Sequence, residues 1–269
     1  KQFRMSYINK KITNLESFGD QKNSVYIHSK PFPHIVIEDL FDENLLNRIL
    51  VEFPENIQQT GDNYENKAER KLSLNDTNKF SNETNDFINF LNSKIFINFL
   101  QNITDVEEKL IPDPYLIGGG LHELKEEGYL NIHADFNMHP TMKLNRRLNL
   151  LIYLNKDWKN DFGGSLELWD KDMKKCERKI TPTFNKTVIF STTDNSYHGN
   201  PEKINHPNKI SRKSIAMYYY TNGRPQYEKG LGNHSTIFRK RPNTEDPEGK
   251  IEFKKIFGKI YLRKKNKIK

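Results

Sequence analysis

Cysteine is nearly absent from this sequence of 269 residues, because Cys176 is the only one. A single thiol cannot form a disulfide within the chain, and this scarcity is typical of proteins from a reducing compartment. Long apolar runs are also missing: no stretch approaches the ~20 apolar residues that a membrane-spanning helix needs. No secretory signal is visible at the start, which begins with Lys1. We therefore expect a cytoplasmic protein.

Several common functional signatures are missing as well. The sequence contains no internal repeat, no Cys/His zinc pattern, no phosphate-binding P-loop and no Gly-x-Ser-x-Gly elbow. These absences argue against a repeat protein, a zinc finger, a P-loop nucleotide hydrolase and an α/β-hydrolase.

The net charge is confined to one segment. The chain has 43 Lys and Arg against 35 Asp and Glu, a formal net charge of +8, yet residues 250–269 hold nine basic residues and one acidic residue. The rest of the chain is neutral. Within this tail, Phe253, Ile256, Phe257 and Ile260 recur at helical spacing between basic residues, which predicts a basic amphipathic helix. Such a helix can pack on its own domain, or bind an anionic membrane surface or nucleic acid.

The N-terminal part, residues 1–113, predicts a strand and helices with a polar flap that pack on a core. Residues 31–38 predict the strand. One helix is predicted after Asp42, which is a plausible N-cap, and another at residues 85–99. Residues 55–83 are almost all polar and predict a long loop, either an active-site lid or a disordered segment.

Short strands separated by Gly, Pro, Asn and Asp dominate residues 114–225. Seven are predicted, at residues 115–117, 121–124, 130–134, 148–154, 165–169, 187–190 and 214–221. Many short strands with turn signals indicate a mainly β fold with flanking helices, built on a double-stranded β-helix (jelly-roll) core. Residues 226–269 would then be a C-terminal extension that carries the basic amphipathic tail.

A His-x-Asp pair, His133 and Asp135, lies in the predicted strand at 130–134 and just after it. In an extended strand, side chains two residues apart point to the same face, so the pair can offer an imidazole and a carboxylate to one point. A second imidazole would complete a facial triad of two histidines and one carboxylate, as in non-haem Fe(II) oxygenases. His198 is the candidate. The pair alone is a weak signal, and a structural or surface histidine is the alternative.

Residues after His198 favour the metal site. Arg212 enters a predicted buried strand, and Ser214 lies on the same face two residues later. A guanidinium binds a carboxylate through two parallel hydrogen bonds, and a hydroxyl can support it. This pair would suit a dicarboxylic cosubstrate.

Five sequence blocks occur in a familiar order. They are Gly-Tyr-Leu-Asn-Ile-His-Ala-Asp at 128–135, Leu-Asn-Leu-Leu-Ile-Tyr-Leu-Asn-Lys-Asp-Trp at 148–158, Gly-Gly-Ser-Leu-Glu-Leu-Trp at 163–169, Ile-Thr-Pro-Thr-Phe-Asn-Lys-Thr-Val-Ile-Phe at 180–190, and His198 with the Arg-Lys-Ser-Ile-Ala strand from 212. In these blocks, residues from about 115 to 225 resemble the 2-oxoglutarate/Fe(II)-dependent dioxygenases, and within them the prolyl 4-hydroxylase-like branch. The resemblance implies His133, Asp135 and His198 as iron ligands.

The resemblance also implies residues that hold the cosubstrate. Arg212 would bind the far carboxylate of 2-oxoglutarate, and Tyr153 falls where hypoxia-type prolyl hydroxylases place a tyrosine that touches the same group. Ser214 matches the serine of an Arg-x-Ser pattern in related oxygenases. Collagen-type enzymes often use a lysine, but Lys213 alternates to the opposite face. Upstream, those hydroxylases carry a cosubstrate-binding tyrosine where this chain has His122, which is either a substitute contact or a strand histidine facing solvent.

The activity implied by the resemblance uses Fe(II), 2-oxoglutarate and O2, with ascorbate as an optional addition. It releases succinate and CO2 and hydroxylates a C–H bond, with a prolyl residue of a protein or peptide as the preferred substrate. Three alternatives stay open: a small-molecule hydroxylase, a nucleic-acid demethylase directed by the tail at 250–269, and a non-catalytic metal-binding jelly-roll module. An inward orientation of Arg212 and Ser214 would argue against the last. The oligomeric state is not indicated.

Overall fold

The computed structural model describes residues 7–225, 228, 230 and 232–250. The basic amphipathic helix predicted within the C-terminal tail, beyond residue 250, lies outside the described residues. Within the described part of the chain, no helix combines the length and the apolar character needed to cross a bilayer.

Five α-helices are described, all in the N-terminal part of the chain. They are α1 Leu15–Ile27, α2 Glu43–Val51, α3 Ile57–Thr60, α4 Asn82–Leu91 and α5 Lys94–Thr104. Each of the four longer helices begins after a side chain that accepts a hydrogen bond from a backbone N–H three residues later: Asn14, Asp42, Ser81 and Ser93. The prediction of Asp42 as an N-cap is confirmed. The single helix predicted at residues 85–99 is wrong, because Ser93 caps a new helix there.

Fourteen strands are described, and they form one sheet. They are β1 His34–Glu38, β2 Asp62–Glu65, β3 Glu69–Leu74, β4 Ile111–Pro112, β5 Gly120–Leu124, β6 Tyr129–Ala134, β7 Asn145–Tyr153, β8 Leu166–Trp169, β9 Cys176–Ile180, β10 Lys186–Ser191, β11 His198–Asn200, β12 Arg212–Thr221, β13 Ile237–Phe238 and β14 Gly249–Lys250.

The pairing of these strands is that of a jelly roll. The order is β1-β10-β7-β12-β5-β3-β6-β11-β8-β9, and the named pairs are antiparallel. Strands β5, β7, β10 and β12 therefore form one half of the sheet, and β6, β8, β9 and β11 form the other. Because successive strands mostly alternate between the halves, the sheet curls into a half-barrel. The prediction of a double-stranded β-helix is confirmed.

The strand predicted at residues 115–117 is wrong. Both carboxylate oxygens of Asp113 accept hydrogen bonds from the backbone, one from Tyr115 N and the other from Ile117 N, each at 2.8 Å. A short polar side chain that binds the backbone two to four residues later stabilises a turn in place of a strand. The paired segment lies just before this turn, in β4.

The polar segment 55–83 is neither disordered nor a plain loop. It contains α3 and a hairpin of β2 and β3, and β3 pairs with both β5 and β6. Leu72 and Leu74 point from β3 into the hydrophobic core, while the alternate residues are polar. This hairpin therefore joins the two halves of the sheet, which its composition does not indicate.

The helices cover one face of the sheet, and the candidate site lies on the other face. Ile152, Ile189 and Ile215 pack in the same hydrophobic core as Phe96 and Phe99 of α5. Complete burial of each such side chain contributes about 1.5–3 kcal/mol to folding. Strand residues that alternate with these three isoleucines, such as Tyr153 and Ser214, point into the half-barrel, where the candidate site lies.

Gly120, at the junction of β5 and β3, provides a test of this architecture. Its φ is +92°, and an added Cβ would lie 2.3 Å from Leu74 O. Gly223 has a similar φ of +99° with nothing within 4 Å. We expect Gly120→Ala to lower the free energy of unfolding by about 2–4 kcal/mol through strain and clash. Gly223→Ala, which carries only the strain, should cost about half as much in urea denaturation. Equal losses in the two variants would contradict this packing.

Candidate metal centre

Two imidazoles and a carboxylate meet where β6 pairs with β11. His133 of β6 lies directly opposite His198 of β11, and Asp135 follows two residues after His133. The ligand atoms of the three side chains lie within 4.8 Å of one another. Among the described residues, no other group of three or more His, Cys, Asp or Glu side chains is so arranged. The structure thus brings together the three residues that the sequence singled out.

Backbone carbonyls fix the orientation of both imidazoles. Nδ1 of His133 lies 2.8 Å from Asn131 O, and Nδ1 of His198 lies 2.9 Å from Ser196 O. A carbonyl oxygen can only accept, so each Nδ1 carries a proton, and in a neutral ring the lone pair is then on Nε2. The two Nε2 atoms face Asp135, 3.4 Å from its Oδ1 and Oδ2 respectively. Two neutral nitrogens and one carboxylate form the donor set of a facial triad.

The protonation states suit a metal ion at neutral pH. Burial lowers the pKa of His198 to about 4, so its imidazole is neutral. Burial acts to raise the pKa of Asp135, but Arg146 and the two histidines hold it well below its usual value. Neither group therefore has to lose a proton before it can bind a cation near pH 7.

Arg146 holds the Asp135 carboxylate from the other side. Nη2 of Arg146 lies 3.1 Å from Asp135 Oδ2, and the side chain is 1% exposed. Asn149 bridges the two groups, because its Oδ1 accepts from Arg146 Nε at 3.0 Å while its Nδ2 donates to Asp135 Oδ2 at 2.8 Å. The guanidinium is also stacked between two rings, with Cζ 4.5 Å from the centroid of Phe136 and 3.4 Å from that of Tyr218.

The sequence does not single out Arg146. In a regular strand, residues 146 and 149 point to opposite faces. The pairing of β7 with β12 shifts its register between Tyr219 and Tyr220, which puts Tyr219 opposite Leu148 and Tyr220 opposite Arg146. This bulge lets Arg146 and Asn149 meet at one carboxylate. The local sequence around Arg146, which is Asn-Arg-Arg, does not indicate that its side chain reaches Asp135.

A second cation lies elsewhere on the inward face. Arg212 is 4% exposed, and its Nε donates to Gly164 O at 2.9 Å. No Asp or Glu of the described residues lies within ion-pair distance of it. Its Cζ is 4.8 Å from the ring centroid of Tyr153, whose hydroxyl is buried beside the guanidinium. A buried cation without an anion costs several kcal/mol, so this position is suited to a carboxylate ligand.

The other predicted cosubstrate residues share this face. Ser214 lies opposite Tyr153 on β7 and opposite His122 on β5. His122 is 8% exposed, and its Nε2 lies 3.0 Å from Gly118 O. The alternative of a solvent-facing histidine is therefore wrong. The Gly118 carbonyl accepts a hydrogen bond from Nε2–H of His122, which leaves Nδ1 as the ring nitrogen free for a ligand.

Lys213 points away from the site. Its Nζ lies 2.7 Å from Ser211 Oγ and 3.6 Å from Glu123 Oε1 on the opposite face of β12. The alternation inferred from the sequence therefore holds, and Lys213 does not compete with Arg212 for an anion inside the barrel.

A segment near the C-terminal end of the described chain also covers the metal centre. Strand β13 pairs with β6, which puts Phe238 opposite His133 with ring centroids 5.6 Å apart. Asp194 secures this segment, because its Oδ1 lies 2.7 Å from His234 Nε2 and 3.2 Å from Asn137 Nδ2. The short strand at 237–238 gave no sequence signal.

Sequence comparisons agree with this geometry. Residues 119–220 match the family model described as the 2OG-Fe(II) oxygenase superfamily. Prolyl 3-hydroxylase OGFOD1 of Mus musculus is 33% identical over 79 residues, which are 28% of this chain and 14% of the mouse protein. The Xenopus laevis protein of the same name is 26% identical over 187 residues, which are 67% of this chain and 34% of the relative. The chain thus spans about a third or less of the length of these relatives.

Solved structures share the fold. A Pseudomonas putida prolyl-4-hydroxylase superposes with a TM-score of 0.54 at 11% identity, covering 78% of this chain and 100% of that one. A Trichoplax adhaerens prolyl hydroxylase, solved with a peptide from the oxygen degradation domain of hypoxia inducible factor, has a TM-score of 0.54 at 15% identity. It covers 79% of this chain and 93% of that one.

The charge on Arg146 should control metal binding. Arg146→Met keeps a long side chain between the two rings but leaves the buried Asp135 carboxylate without its cation. We expect the Kd for Co(II), followed by visible absorption, to rise about 10- to 100-fold. Arg147→Met is the matched control, because Arg147 pairs with Glu108 and Glu228 and not with Asp135. An unchanged Kd in Arg146→Met would contradict the role of this ion pair.

His122 should make the protein sensitive to acid. Burial, together with the charge of Lys71, lowers its pKa to about 3, against about 6.5 in an unfolded chain. Between these values the unfolded chain binds a proton that the folded chain does not, so stability falls as the pH falls. Between pH 7 and pH 5, we expect the free energy of unfolding of His122→Gln to fall by about 2 kcal/mol less than that of the parent protein. Urea unfolding of the metal-free protein at several pH values measures this, and parallel curves would contradict it.

Proposed function

We propose that this chain, whose residues 119–220 match the 2OG-Fe(II) oxygenase superfamily model, hydroxylates a prolyl residue of a protein or peptide with 2-oxoglutarate as cosubstrate. The observation that carries the proposal is that a candidate metal site and a candidate carboxylate site lie on the same inward face of the sheet. His133, Asp135 and His198 form a facial triad where β6 pairs with β11. Arg212, at the start of β12, is buried without a counter-ion among the described residues.

The residues fit Fe(II) and 2-oxoglutarate. His133, His198 and Asp135 would hold the metal, since both Nε2 atoms and the carboxylate converge on one point. When bound together with O2, Fe(II) and 2-oxoglutarate supply C–H hydroxylation chemistry that yields succinate and CO2. Arg146 and Asn149 keep the Asp135 carboxylate ionised and oriented for this purpose.

Arg212 and Tyr153 would hold the far carboxylate of the cosubstrate. Burial raises the pKa of Tyr153, so its phenol stays protonated and can donate a hydrogen bond. The guanidinium remains a cation although burial lowers its pKa. Ser214 and the Nδ1 atom of His122 lie on the same face and would supply further polar contacts.

The choice of a prolyl substrate is supported by the sequence relatives. The two relatives described above are both named prolyl 3-hydroxylase, and a peptide is bound in one structure of the same fold. A non-catalytic metal-binding module has no use for a buried, unpaired arginine on the face that carries the triad. The proposed roles in nucleic-acid or membrane binding depend on the C-terminal tail, which extends beyond the described residues, and they stay predictions. Cytoplasmic localisation likewise stays a prediction.

Succinate release by the full chain with Fe(II), 2-oxoglutarate, O2 and ascorbate tests the proposal. The panel contains prolyl peptides, free amino acids and oligonucleotides. Chromatography of the hydrolysed peptide against authentic standards separates 3- from 4-hydroxyproline, which have the same mass. We expect turnover with a prolyl peptide, and none in His133→Ala, Asp135→Ala or His198→Ala. Retained turnover in all three variants would remove the basis of the assignment, and a preference for free amino acids would favour a small-molecule hydroxylase.

Arg212 should control the affinity for the cosubstrate. Arg212→Met removes the cation from the buried face, so the KM for 2-oxoglutarate should rise about 10- to 100-fold. Lys213→Met is the matched control, since its side chain lies on the other face of β12 and should leave this KM unchanged. A larger effect of Lys213→Met than of Arg212→Met would contradict the assignment.

A further inference from the structure

A buried amide donor without a partner lies beside the metal centre. Asn200 is 5% exposed, and its Nδ2 has no hydrogen-bond partner among the described residues. Burial of an unpaired amide donor is costly, and native structures rarely keep one without a reason. The amide is therefore placed for a ligand that the site receives.

The strand pairing places Asn200 on the inward face. It follows His198 by two residues on β11, and side chains two apart on a strand share a face. Pairing with β6 is shifted here, but pairing with β8 is regular, with His198 opposite Leu168 and Gly199 opposite Glu167. Tyr197 lies on the other face, in a separate hydrophobic cluster with Ile132 and Ala134.

The same pairing places Asn200 between the triad and Arg212. Continuation of the β11–β8 register brings Leu166 beside Asn200, and Leu166 packs in one cluster with Tyr153. Two residues before Leu166, Gly164 O accepts the hydrogen bond from Arg212 Nε. A molecule that extends from the imidazole of His198 to the guanidinium of Arg212 therefore passes the amide of Asn200.

We propose that Asn200 is a cosubstrate-binding residue, whose Nδ2 donates a hydrogen bond to an oxygen of bound 2-oxoglutarate. The inference rests on the proposed function and adds a neutral donor to the charged one at Arg212. It accounts for the unpaired amide, because the ligand supplies the missing acceptor. It also makes the pocket selective for a molecule with an oxygen atom along its length.

Two substitutions separate the donor from the shape of the side chain. Asn200→Leu keeps a similar volume and removes the donor, so the Kd for 2-oxoglutarate should rise about tenfold or more. Asn200→Asp keeps the shape and places a carboxylate beside a dianion, so binding should weaken further. The melting temperature of the ligand-free Asn200→Leu protein should not fall, because an unpaired polar group has been removed.

Thr187→Val is the matched control. Thr187 is fully buried, and its Oγ1 is also without a partner in the described part of the chain. Its position opposite Ile152 puts it on the helix-covered side of the sheet. Removal of this hydroxyl should leave cosubstrate binding unchanged.

Isothermal titration of the Mn(II)-loaded full chain with 2-oxoglutarate measures binding without turnover. Weaker binding in Asn200→Leu and Asn200→Asp, with Thr187→Val like the parent protein, would support the inference. Parent-like Kd values in both Asn200 variants would overturn it and leave the proposed function intact. Absence of 2-oxoglutarate binding to the parent protein would instead reject the proposed function, and this inference with it.

Discussion

The contact between Asp135 and Arg146 is the constraint on which the site depends. A buried carboxylate next to two imidazoles is stable as an anion only if a cation and hydrogen-bond donors compensate for its lost hydration. Arg146 supplies the charge and Asn149 supplies an N–H, both on Asp135 Oδ2. Stacking between Phe136 and Tyr218 keeps the guanidinium in place where water cannot hydrate it. The candidate metal centre therefore includes residues beyond its three predicted ligands.

One strand connects the two ends of the inward face. β12 runs from Arg212 to Thr221 without a break, so Arg212, Ser214 and Tyr218 share a face. Arg212 is the first residue of β12, and Tyr218 stacks on Arg146, the arginine that pairs with Asp135. The antiparallel pairing of β12 with β5 and β7 adds His122 and Tyr153 alongside Ser214. The register of this strand thus sets the anion-binding end and supports the metal-binding end at once.

The sequence predicts the parts of the site that follow regular alternation. His133 with Asp135 and Arg212 with Ser214 are pairs two residues apart, and the structure keeps each pair on one face. Arg146 could not be predicted, because a bulge in the β7–β12 pairing overrides the alternation that would separate it from Asn149. The β2–β3 hairpin looked like a loop because only alternate residues of β3, such as Leu72 and Leu74, enter the core. Pairing between strands distant in sequence determines both the position of Arg146 and the β2–β3 hairpin, and local composition does not indicate such pairing.

The charges on the inward face point to the ligand that completes it. Arg146 is paired with Asp135, and Lys71 lies 3.8 Å from Glu69 Oε2. His122, next to Lys71 and both arginines, stays neutral because burial and these charges lower its pKa to about 3. Arg212 is then the cation of this face that has no counter-ion among the described residues. A dicarboxylate satisfies it with one end and leaves the other end for the metal centre, whereas a prolyl ring brings no charge.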